Sequence, residues 1–247
     1  MTFDYREATM NNLRSVLTLD HSIDFVSQVA LFDGFEAQEL EWVNAHLNRD
    51  TFREGSTIIT EGQAGHVVYI VHSGSLKVYA LQVDGTEVVL SIIGPGDVVG
   101  EMSLVDESER SASVVTLEDS DLLWMERSSF EEGMQRIPRF AQNMARLLSE
   151  RVRLSTAHIR SLAALHVNGR VARQLLAFAK KYGRKNDEGG VLIPMRLTQR
   201  DIAGLVGASR KRVNQAVVEF KRRELISVNE NSHLVLHNVE ALKFLTD

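Results

Sequence analysis

A glycine, a glutamate and an arginine are spaced so that they could bind one small polar ligand. The stretch GEMSLVDESERSAS, residues 100 to 113, places Glu101 nine residues before an Arg110-Ser111 pair. An ionised carboxylate accepts hydrogen bonds, whereas a guanidinium donates through a planar fork that matches phosphate. The two side chains could form a surface ion pair, or they could hold opposite ends of one ligand that carries hydroxyl groups and an anion. These residues alone leave both interpretations open.

A second stretch with possible chemistry spans residues 197 to 226, LTQRDIAGLVGASRKRVNQAVVEFKRRELI. Its spacing allows two short helices to cross tightly. Ala203 leaves room for the second helix, Gly207 makes the turn, and Val213 packs between the two helices. The segment 225 to 236 that follows is typical of two strands around a polar turn. The sequence therefore predicts a winged helix-turn-helix.

The second of these helices begins with side chains that can bind DNA. We predict it over residues 210 to 223. Its three leading basic residues oppose the helix dipole, so stability alone does not explain them. The first residues of such a helix reach the major groove. We therefore predict that the following residues bind DNA, including the two expected helix caps Thr198 and Ser209: Thr198, Gln199, Ser209, Arg210, Lys211, Arg212, Asn214 and Gln215.

The part of the chain before residue 137 is typical of a β-fold. From Gly55 onward, short β-branched and aromatic runs such as VVYIV and TEVVLSII alternate with glycine-containing turns. Short strands with turn residues every 8 to 12 positions or so indicate an all-β sandwich or barrel. The candidate ligand residues Glu101 and Arg110 lie inside this region.

A long helix is predicted between the two regions. Residues 138 to 165 contain no glycine and, after Pro138, no proline, and a helix of this length spans about 40 Å. Its apolar stripe has nearly heptad spacing, which is typical of a helix that packs lengthwise on another helix. Because no second long helix is visible, we expect a parallel homodimer; the alternative is that the stripe packs on its own β-domain. The stripe comprises Met144, Leu148, Val152, Ser155, Ile159 and Leu162.

A break in the helical pattern separates the long helix from the carboxyl-terminal region. We expect Asn168 to cap the next helix, Gly169 to provide a hinge, and Gly183 to end that helix as a left-handed glycine. The charge changes sign nearby: residues 1 to 150 carry a net charge of −15 and residues 151 to 247 a net charge of +10. A basic carboxyl-terminal half favours nucleic acid. The alternative is that the two oppositely charged halves merely dock on each other.

The composition excludes several classes of protein. The chain has no cysteine, so disulfides and thiolate-held zinc or iron–sulfur clusters are impossible. No apolar run is long enough to span a membrane, and we see no secretory signal, so we expect a cytoplasmic protein without membrane association. We find no catalytic constellation and no metal site, and we expect no enzyme activity. Haem bound through His72, His158 or His166 stays an alternative.

Four motifs in order resemble the cyclic AMP receptor protein and fumarate–nitrate regulator family of bacterial transcription factors. They are GSTIITEGQAGHVVYIVHSGSLKVY, GPGDVVGEMSL, ERSAS and the helix-turn-helix. The resemblance implies an α+β chain with an N-terminal β-roll (a double-stranded β-helix or jelly roll), a long dimerisation helix and a C-terminal winged helix-turn-helix. The expected parts are an extension without clear organisation (1–25), a cyclic-nucleotide-binding domain (26–137), the dimerisation helix (138–166) and the DNA-binding domain (167–247).

The resemblance also gives roles to the residues around Glu101 and Arg110. In this family a Gly-Glu pair and an Arg-Ser pair flank a phosphate cassette, so Glu101 is expected to accept from a ribose hydroxyl and Arg110 to bind the cyclic phosphate. Two hydroxyl residues of the long helix match the family's adenine contacts, although in reversed order. The implied cyclic-nucleotide site comprises Gly100, Glu101, Met102, Ser103, Arg110, Ser111, Arg151, Ser155 and Thr156.

The resemblance implies a homodimeric transcription regulator gated by a cyclic nucleotide. The expected effector is cAMP, with cGMP possible, and the expected partners are a pseudo-palindromic double-stranded operator and RNA polymerase. Lys211 stands where the best-known member has a glutamate and Gln215 where it has an arginine, so the operator need not be the same. The alternative is a regulator of the same fold that needs no small molecule and is controlled by its abundance.

Overall fold

The computed structural model describes residues 19–187 and 189–246, and its chain is α+β in three consecutive parts. Most of the predicted extension, residues 1–18, lies outside the described residues. The remainder of that extension does have regular structure: helix α1 spans Leu19–Gln28 and packs the fully buried Val26 onto the β-domain. The expectation that residues 1–25 lack clear organisation was therefore wrong for their last seven residues.

Eight strands form the predicted β-roll. One antiparallel sheet has the order β1-β8-β3-β6 and the other has the order β2-β7-β4-β5. The inward side chains of both sheets meet in one apolar cluster that includes Val71, Leu76 and Leu122. The strands are β1 (Asn48–Phe52), β2 (Thr57–Ile59), β3 (Val67–Ser73), β4 (Leu76–Leu81), β5 (Glu87–Ile93), β6 (Val98–Val99), β7 (Ser113–Thr116) and β8 (Ser120–Glu126).

A second core lies between the first sheet and the helices that pack on it. Those helices include α1, a 3-10 turn at Ala30–Phe32, α2 (Ala37–Ala45), α4 (Arg127–Arg136) and the start of the long helix that follows. The ring of Phe140 occupies the centre of this core, where it meets three other phenylalanine rings edge to face at 5.3 to 5.8 Å. Such pairs add to the free energy of burial.

The long helix α5 spans Pro138–Ala164, 27 residues, with proline in its first turn. Its predicted stripe divides in two. Met144 is buried in the second core, whereas Val152 and Ile159 are 66% and 65% exposed. The beginning of the stripe therefore packs on its own β-domain, whereas Val152 and Ile159 stay largely exposed and Leu162 lies beside Gly207 of the carboxyl-terminal part.

The break after the long helix differs in detail from the prediction. Helix α6 spans Val167–Tyr182, and its N-cap residue is His166, so Asn168 lies inside the first turn and is not the cap. Gly169 is buried, and it packs so closely on the end of the chain that a Cβ atom there would lie 2.6 Å from the carbonyl oxygen of Leu245. Gly183 ends the helix with a φ of −63°, and is therefore not the left-handed glycine that we expected.

The carboxyl-terminal part is the predicted winged helix-turn-helix. Its sheet has the order β11-β12-β10-β9, and β11 with β12 forms the wing. Helices α7 and α8 are joined by a turn at Gly207, whose φ is +56°. The elements are β9 (Arg184–Lys185), β10 (Val191–Arg196), α7 (Gln199–Leu205), α8 (Arg210–Arg222), β11 (Ile226–Val228), β12 (His233–Leu236) and α9 (Val239–Lys243).

We expect Phe140→Ala to destabilise the β-domain by about 3–5 kcal/mol, because it removes the ring that the other three rings pack against. Urea unfolding followed by tryptophan fluorescence measures the change. Phe244→Ala is the matched control, since Phe244 is 79% exposed and its loss should change the free energy of unfolding by less than about 0.5 kcal/mol. Equal effects of the two substitutions would contradict this description of the core.

Candidate functional site

The backbone at Gly100 allows the guanidinium of Arg110 to enter the β-roll. Strand β6 ends at Val99, and Gly100 has a φ of +86°, a conformation that glycine adopts without strain. A Cβ atom at this position would lie 2.5 Å from Nη1 of Arg110. Gly65, on the other side of the guanidinium, has no room for a side chain either, because a Cβ there would meet Ser103 Oγ at 2.2 Å. Two glycines therefore make room for one arginine.

Arg110 is buried among neutral acceptors. It is 7% exposed, and its Nη1 donates to Gly100 O at 2.5 Å and to Ser103 Oγ at 2.9 Å. Its Nη2 donates to Val67 O at 2.6 Å. No carboxylate forms an ion pair with it in the described part of the chain. Burial lowers the pKa of Arg110 from its ordinary value, although the guanidinium stays charged at any physiological pH.

Glu101 lies beside this guanidinium and pairs with the long helix. Its carboxylate is fully buried, and Oε1 accepts a hydrogen bond from Nη1 of Arg151. Arg151 also donates to Val98 O, so this one side chain holds α5 against the end of β6. The other carboxylate oxygen, Oε2, is buried without a hydrogen-bond partner. Burial raises the pKa of Glu101, and the positive charge of Arg151 partly opposes that shift.

The residues between the two charged groups form a short helical turn, α3, at Met102–Val105. Ser103 is buried and its hydroxyl accepts the hydrogen bond from Arg110, whereas Met102 is 43% exposed. Ser111 is exposed, and its hydroxyl lies 4.0 Å from the sulfur of Met102. The structure thus brings Gly100, Glu101, Ser103 and Arg110 into one polar cluster, with Met102 and Ser111 at its solvent side.

This cluster suits a ligand that has both an anion and hydroxyl groups. A buried guanidinium with neutral partners is stabilised further by an anion, and a phosphate matches its geometry. A buried carboxylate oxygen without a donor can accept a hydrogen bond from a ligand hydroxyl. A cyclic nucleotide supplies both groups on one ring system, so the residues fit that ligand. The surface ion pair between Glu101 and Arg110 that the spacing left open is not formed.

Arg127 also belongs to the site, although it is not among the residues predicted from the sequence. Its guanidinium donates to Gly65 O at 2.9 Å and to Ser103 O at 2.7 Å, which ties α3 to the start of α4. No sequence signal marks it, because its partners are backbone atoms of distant residues. Gly65 could have been noticed as one more glycine in the EGQAGHVVY stretch.

Ser155 and Thr156 lie on the exposed part of the long helix. The hydroxyl of Thr156 donates to Val152 O in its own helix at 2.9 Å. Ser155 is exposed, and neither hydroxyl bonds to the β-roll in the described chain. The structure therefore places Arg151 at the polar cluster, but it does not bring these two hydroxyls to it within one subunit.

The helix-turn-helix is fixed by two side-chain caps and an apolar contact. Thr198 and Asp201 form a reciprocal capping box on α7, and Ser209 accepts from the backbone of Arg212 at 3.4 Å on α8. Val213 is fully buried between the helices. These local contacts hold α8 at a set angle to α7.

The predicted DNA-binding residues share one exposed surface of α8 and the start of α7. The side chains of Arg210, Lys211, Asn214 and Gln215 are all exposed at the beginning of α8. Gln199 donates from its amide nitrogen to Asn214 Oδ1 at 2.8 Å, which links the two helices across this surface. The arrangement can donate to base edges and phosphates.

Comparisons with known proteins agree with this geometry. The chain matches the family model of the cyclic nucleotide-binding domain over residues 49–137 and that of the Crp-like helix-turn-helix domain over residues 169–245. A CRP-like cAMP-activated global transcriptional regulator of Mycobacterium tuberculosis is 33% identical over 213 residues, which cover 86% of this chain and 94% of the relative.

Two solved structures are also similar. FixK2 from Bradyrhizobium japonicum has a TM-score of 0.72 at 22% identity, and the match covers 81% of this chain and 98% of that chain, which supports the fold. CLP of Xanthomonas campestris, a c-di-GMP responsive global regulator, has a TM-score of 0.66 at 25% identity, with 82% and 100% covered.

The chain belongs to the CRP/FNR family of transcription regulators. It is a CRP-like DNA-binding transcription regulator that carries a cyclic nucleotide-binding domain. No helix in the described residues is long and apolar enough to cross a membrane. No cluster of potential metal ligands occurs there either.

The stability of the ligand-free Glu101→Gln variant should increase relative to that of the wild type as pH rises. Burial raises the folded-state pKa of Glu101 above its ordinary 4.5. Its contribution to the free energy of unfolding is therefore greatest below pH 4.5 and is lost as pH rises through the folded-state pKa. The difference in free energy of unfolding, variant minus wild type, should therefore increase between about pH 4.5 and neutrality. Urea unfolding across this range measures it.

Glu150→Gln is the control for this experiment, since it removes one carboxylate from an exposed position of the same helix that carries Arg151. A stability difference for Glu101→Gln that decreases with rising pH would contradict the description of Glu101 as a buried carboxylate with one oxygen that has no hydrogen-bond donor.

Proposed function

We propose that the protein is a homodimeric, sequence-specific transcription regulator whose affinity for DNA is set by a cyclic nucleotide bound in the β-roll. One observation carries this proposal: a buried guanidinium with neutral partners lies beside a buried carboxylate oxygen that has no donor. A ligand with a cyclic phosphate and a ribose hydroxyl satisfies both groups. The chain's own residues would bind it: Gly100, Glu101, Met102, Ser103, Arg110, Ser111 and Arg151.

The effector that we propose is cAMP, with cGMP as the second candidate. The relative from M. tuberculosis is named as cAMP-activated and is 33% identical. The X. campestris regulator is described as responsive to c-di-GMP, so the fold alone does not select the nucleotide. A single buried guanidinium suits a ligand with one phosphate better than one with two, which favours a cyclic mononucleotide.

The gating mechanism that we propose runs through Arg151. Glu101 is the acceptor for Arg151 and also the proposed acceptor for a ribose hydroxyl. A bound nucleotide would therefore change the charge and hydrogen bonding around the residue that joins β6 to the long helix. A ligand shifts a conformational equilibrium only by its differential affinity for the two states, and this shared carboxylate offers a source of such a difference.

The dimer that we propose uses the exposed half of the long helix. Val152, Ile159 and Leu162 are 66%, 65% and 42% exposed and follow a nearly heptad spacing. Packing this stripe against its copy would bury it. Ser155 lies within the stripe and Thr156 beside it, so a parallel dimer would bring both hydroxyls close to the partner and allow them to contact a bound base.

The DNA-binding surface that we propose is the start of α8 with the caps of both helices. Arg210 can read guanine through two hydrogen bonds, whereas Asn214 and Gln215 suit adenine. Thr198, Gln199, Ser209 and Arg212 would position the helix on phosphates. A symmetric dimer places two such helices on half-sites about 34 Å apart, which implies a pseudo-palindromic operator.

Action on transcription implies contact with RNA polymerase, and action on the chromosome implies a cytoplasmic location.

The alternative function is a regulator of the same fold that needs no effector. In this case the DNA affinity would be the same with and without nucleotide. The unpartnered oxygen of Glu101 disfavours this alternative, because a buried polar atom without a partner costs stability that an effector-free protein has no reason to retain.

Arg110→Ala should weaken cyclic nucleotide binding by about 30-fold or more, since it removes the partner of a buried phosphate. Calorimetry with cAMP and with cGMP measures the affinity. DNA affinity is measured on a duplex selected from a random library with the wild-type protein. We expect cAMP to tighten wild-type binding to this duplex and to have little effect on the variant.

Two variants serve as controls for this experiment. Arg136→Ala removes a guanidinium whose side chain is 61% exposed and should change neither affinity. Arg210→Ala should weaken DNA binding and leave nucleotide binding intact. Identical wild-type DNA affinity at millimolar nucleotide and without it would contradict gating and favour the effector-free alternative.

Ile159→Glu should convert the proposed dimer into a monomer at micromolar concentration, because it places a charge in the centre of the exposed stripe. Sedimentation equilibrium measures the molar mass. Glu150→Lys is the control, since residue 150 lies about half a turn from the stripe and tolerates charge. A wild-type monomer in this measurement would contradict the dimer.

A further inference from the structure

The DNA-binding part of the chain is docked on the β-roll of the same chain. Val89 and Ile92 of strand β5 belong to the same apolar cluster as the buried face of the helix-turn-helix. Gly204 of α7 lies so close to Val89 that a Cβ atom built at residue 204 would be 3.1 Å from the Cβ of Val89. The missing side chain at residue 204 therefore allows close approach between the two modules.

Asp97 provides the most connected polar contact between the two modules. It lies in the turn between β5 and β6, and its Oδ2 accepts from the backbone of Gly94 at 3.0 Å and from the hydroxyl of Tyr182. Its Oδ1 is paired with Lys181 Nζ at 2.5 Å. Tyr182 and Lys181 both belong to the last turn of α6, and the side chain of Asp97 is only 14% exposed. One carboxylate of the nucleotide-binding module therefore holds the end of a helix of the DNA-binding module.

A second polar contact joins the two modules, apart from the apolar contact between Val89 and Gly204. Arg196 at the end of β10 forms an ion pair with Glu54 at 2.7 Å, and its backbone N–H lies 3.5 Å from Glu118 Oε1. That carboxylate is fixed in turn by the hydroxyl of Ser75 at 2.5 Å. Acidic residues of the β-roll thus meet basic residues of the DNA-binding module at two separate places.

The docked arrangement leaves the proposed DNA-binding surface uncovered. Arg210, Lys211, Asn214 and Gln215 are all exposed while α7 lies against β5. If docking blocked DNA binding by covering the reading surface, these side chains would be buried. The contact instead fixes the orientation of the helix-turn-helix relative to the β-roll.

Asp97 is also adjacent to the proposed nucleotide site. The next residue, Val98, accepts a hydrogen bond from Arg151 through its carbonyl oxygen, and Arg151 is paired with Glu101. The chain from Asp97 to Glu101 is only five residues long. A change at Glu101 and Arg151 therefore reaches the carboxylate that holds α6 through a short strand, β6.

We propose that Asp97 is a positioning residue, which with Tyr182 and Lys181 holds the DNA-binding module on the β-roll in the arrangement that binds DNA. The nucleotide acts on this clamp through Arg151 and β6. This inference rests on the proposed function for its nucleotide step, whereas the claim that the docked arrangement binds DNA stands without it.

A reversible disulfide tests the docked arrangement. The chain has no cysteine, so Val89→Cys with Gly204→Cys introduces the two thiols that can pair. The Cβ separation of 3.1 Å needs to increase by only a few tenths of an ångström to reach the about 3.5–4.5 Å of a disulfide. We expect the pair to oxidise readily, and the oxidised protein to bind the selected duplex without nucleotide as tightly as the reduced protein binds it with cAMP.

The same protein after reduction is the internal control. DNA binding that disappears on oxidation and returns on reduction would show that the docked arrangement is the inactive one, and would overturn the inference. Failure of the thiols to pair would show that the modules are not docked in this way, and would overturn it as well. Both outcomes are independent of whether the wild type responds to nucleotide.

Tyr182→Phe tests the clamp itself, because it removes one hydroxyl and keeps the apolar contact of the ring. We expect about tenfold weaker DNA binding at saturating cAMP, with cAMP affinity unchanged by calorimetry. The oxidised disulfide between positions 89 and 204, added to Tyr182→Phe, should restore DNA affinity. If Tyr182→Phe acted by destabilising another part of the chain, this disulfide would not restore it. DNA affinity unchanged by Tyr182→Phe would overturn the role of Asp97, and a wild type that ignores cAMP would contradict the proposed function alone.

Discussion

The buried guanidinium of Arg110 is the feature that the surrounding residues of the β-roll must accommodate. Removing a cation from water costs several kcal/mol unless its donors are paired, and here they are paired with carbonyl and hydroxyl oxygens that carry no net charge. The backbone of Gly100 adopts a left-handed conformation around it, Gly65 leaves space for it, and Arg127 fastens the helical turn that carries Ser103. A site built in this way holds unbalanced positive charge, and an anionic ligand is the group that balances it.

The site is joined to the rest of the chain through side chains that have two partners each. Arg151 binds both Glu101 and the carbonyl of Val98, so it connects the long helix to the end of β6. Asp97, the residue before Val98, binds both the backbone of Gly94 and the last turn of α6. Because each of these residues serves two elements, a change in one element alters the hydrogen bonding available to the other. Such shared groups form a contiguous network through which the proposed nucleotide site and the module contact can be coupled.

The sequence predicted the elements whose signals are local. The capping box at Thr198, the turn glycine at 207 and the buried Val213 lie within sixteen residues, and the structure has them as predicted. Glycine spacing predicted an all-β sandwich or barrel, the family resemblance implied that it is a β-roll, and an uninterrupted helical pattern predicted the long helix. The wrong assignments concern the end of the amino-terminal extension and the bounds of α6, where the cap is His166 instead of Asn168 and Gly183 has a φ of −63°. Arg127, Asp97 and Tyr182 gave no signal, because their partners are distant in sequence.

The division of charge between the two halves of the chain had two interpretations, docking of the halves and attraction to DNA, and both have a structural basis. Lys181 and Arg196 are paired with Asp97 and Glu54 of the β-roll, which accounts for docking. Arg210 and Lys211 form no ion pair within the described residues and stay exposed at the start of α8, where the helix dipole disfavours them. Basic residues that stabilise a fold acquire acidic partners, whereas basic residues that bind phosphates must keep their charge available. Within the described residues, the carboxyl-terminal half thus contains basic residues that are paired at the module contact and others that stay exposed on the proposed DNA-binding surface.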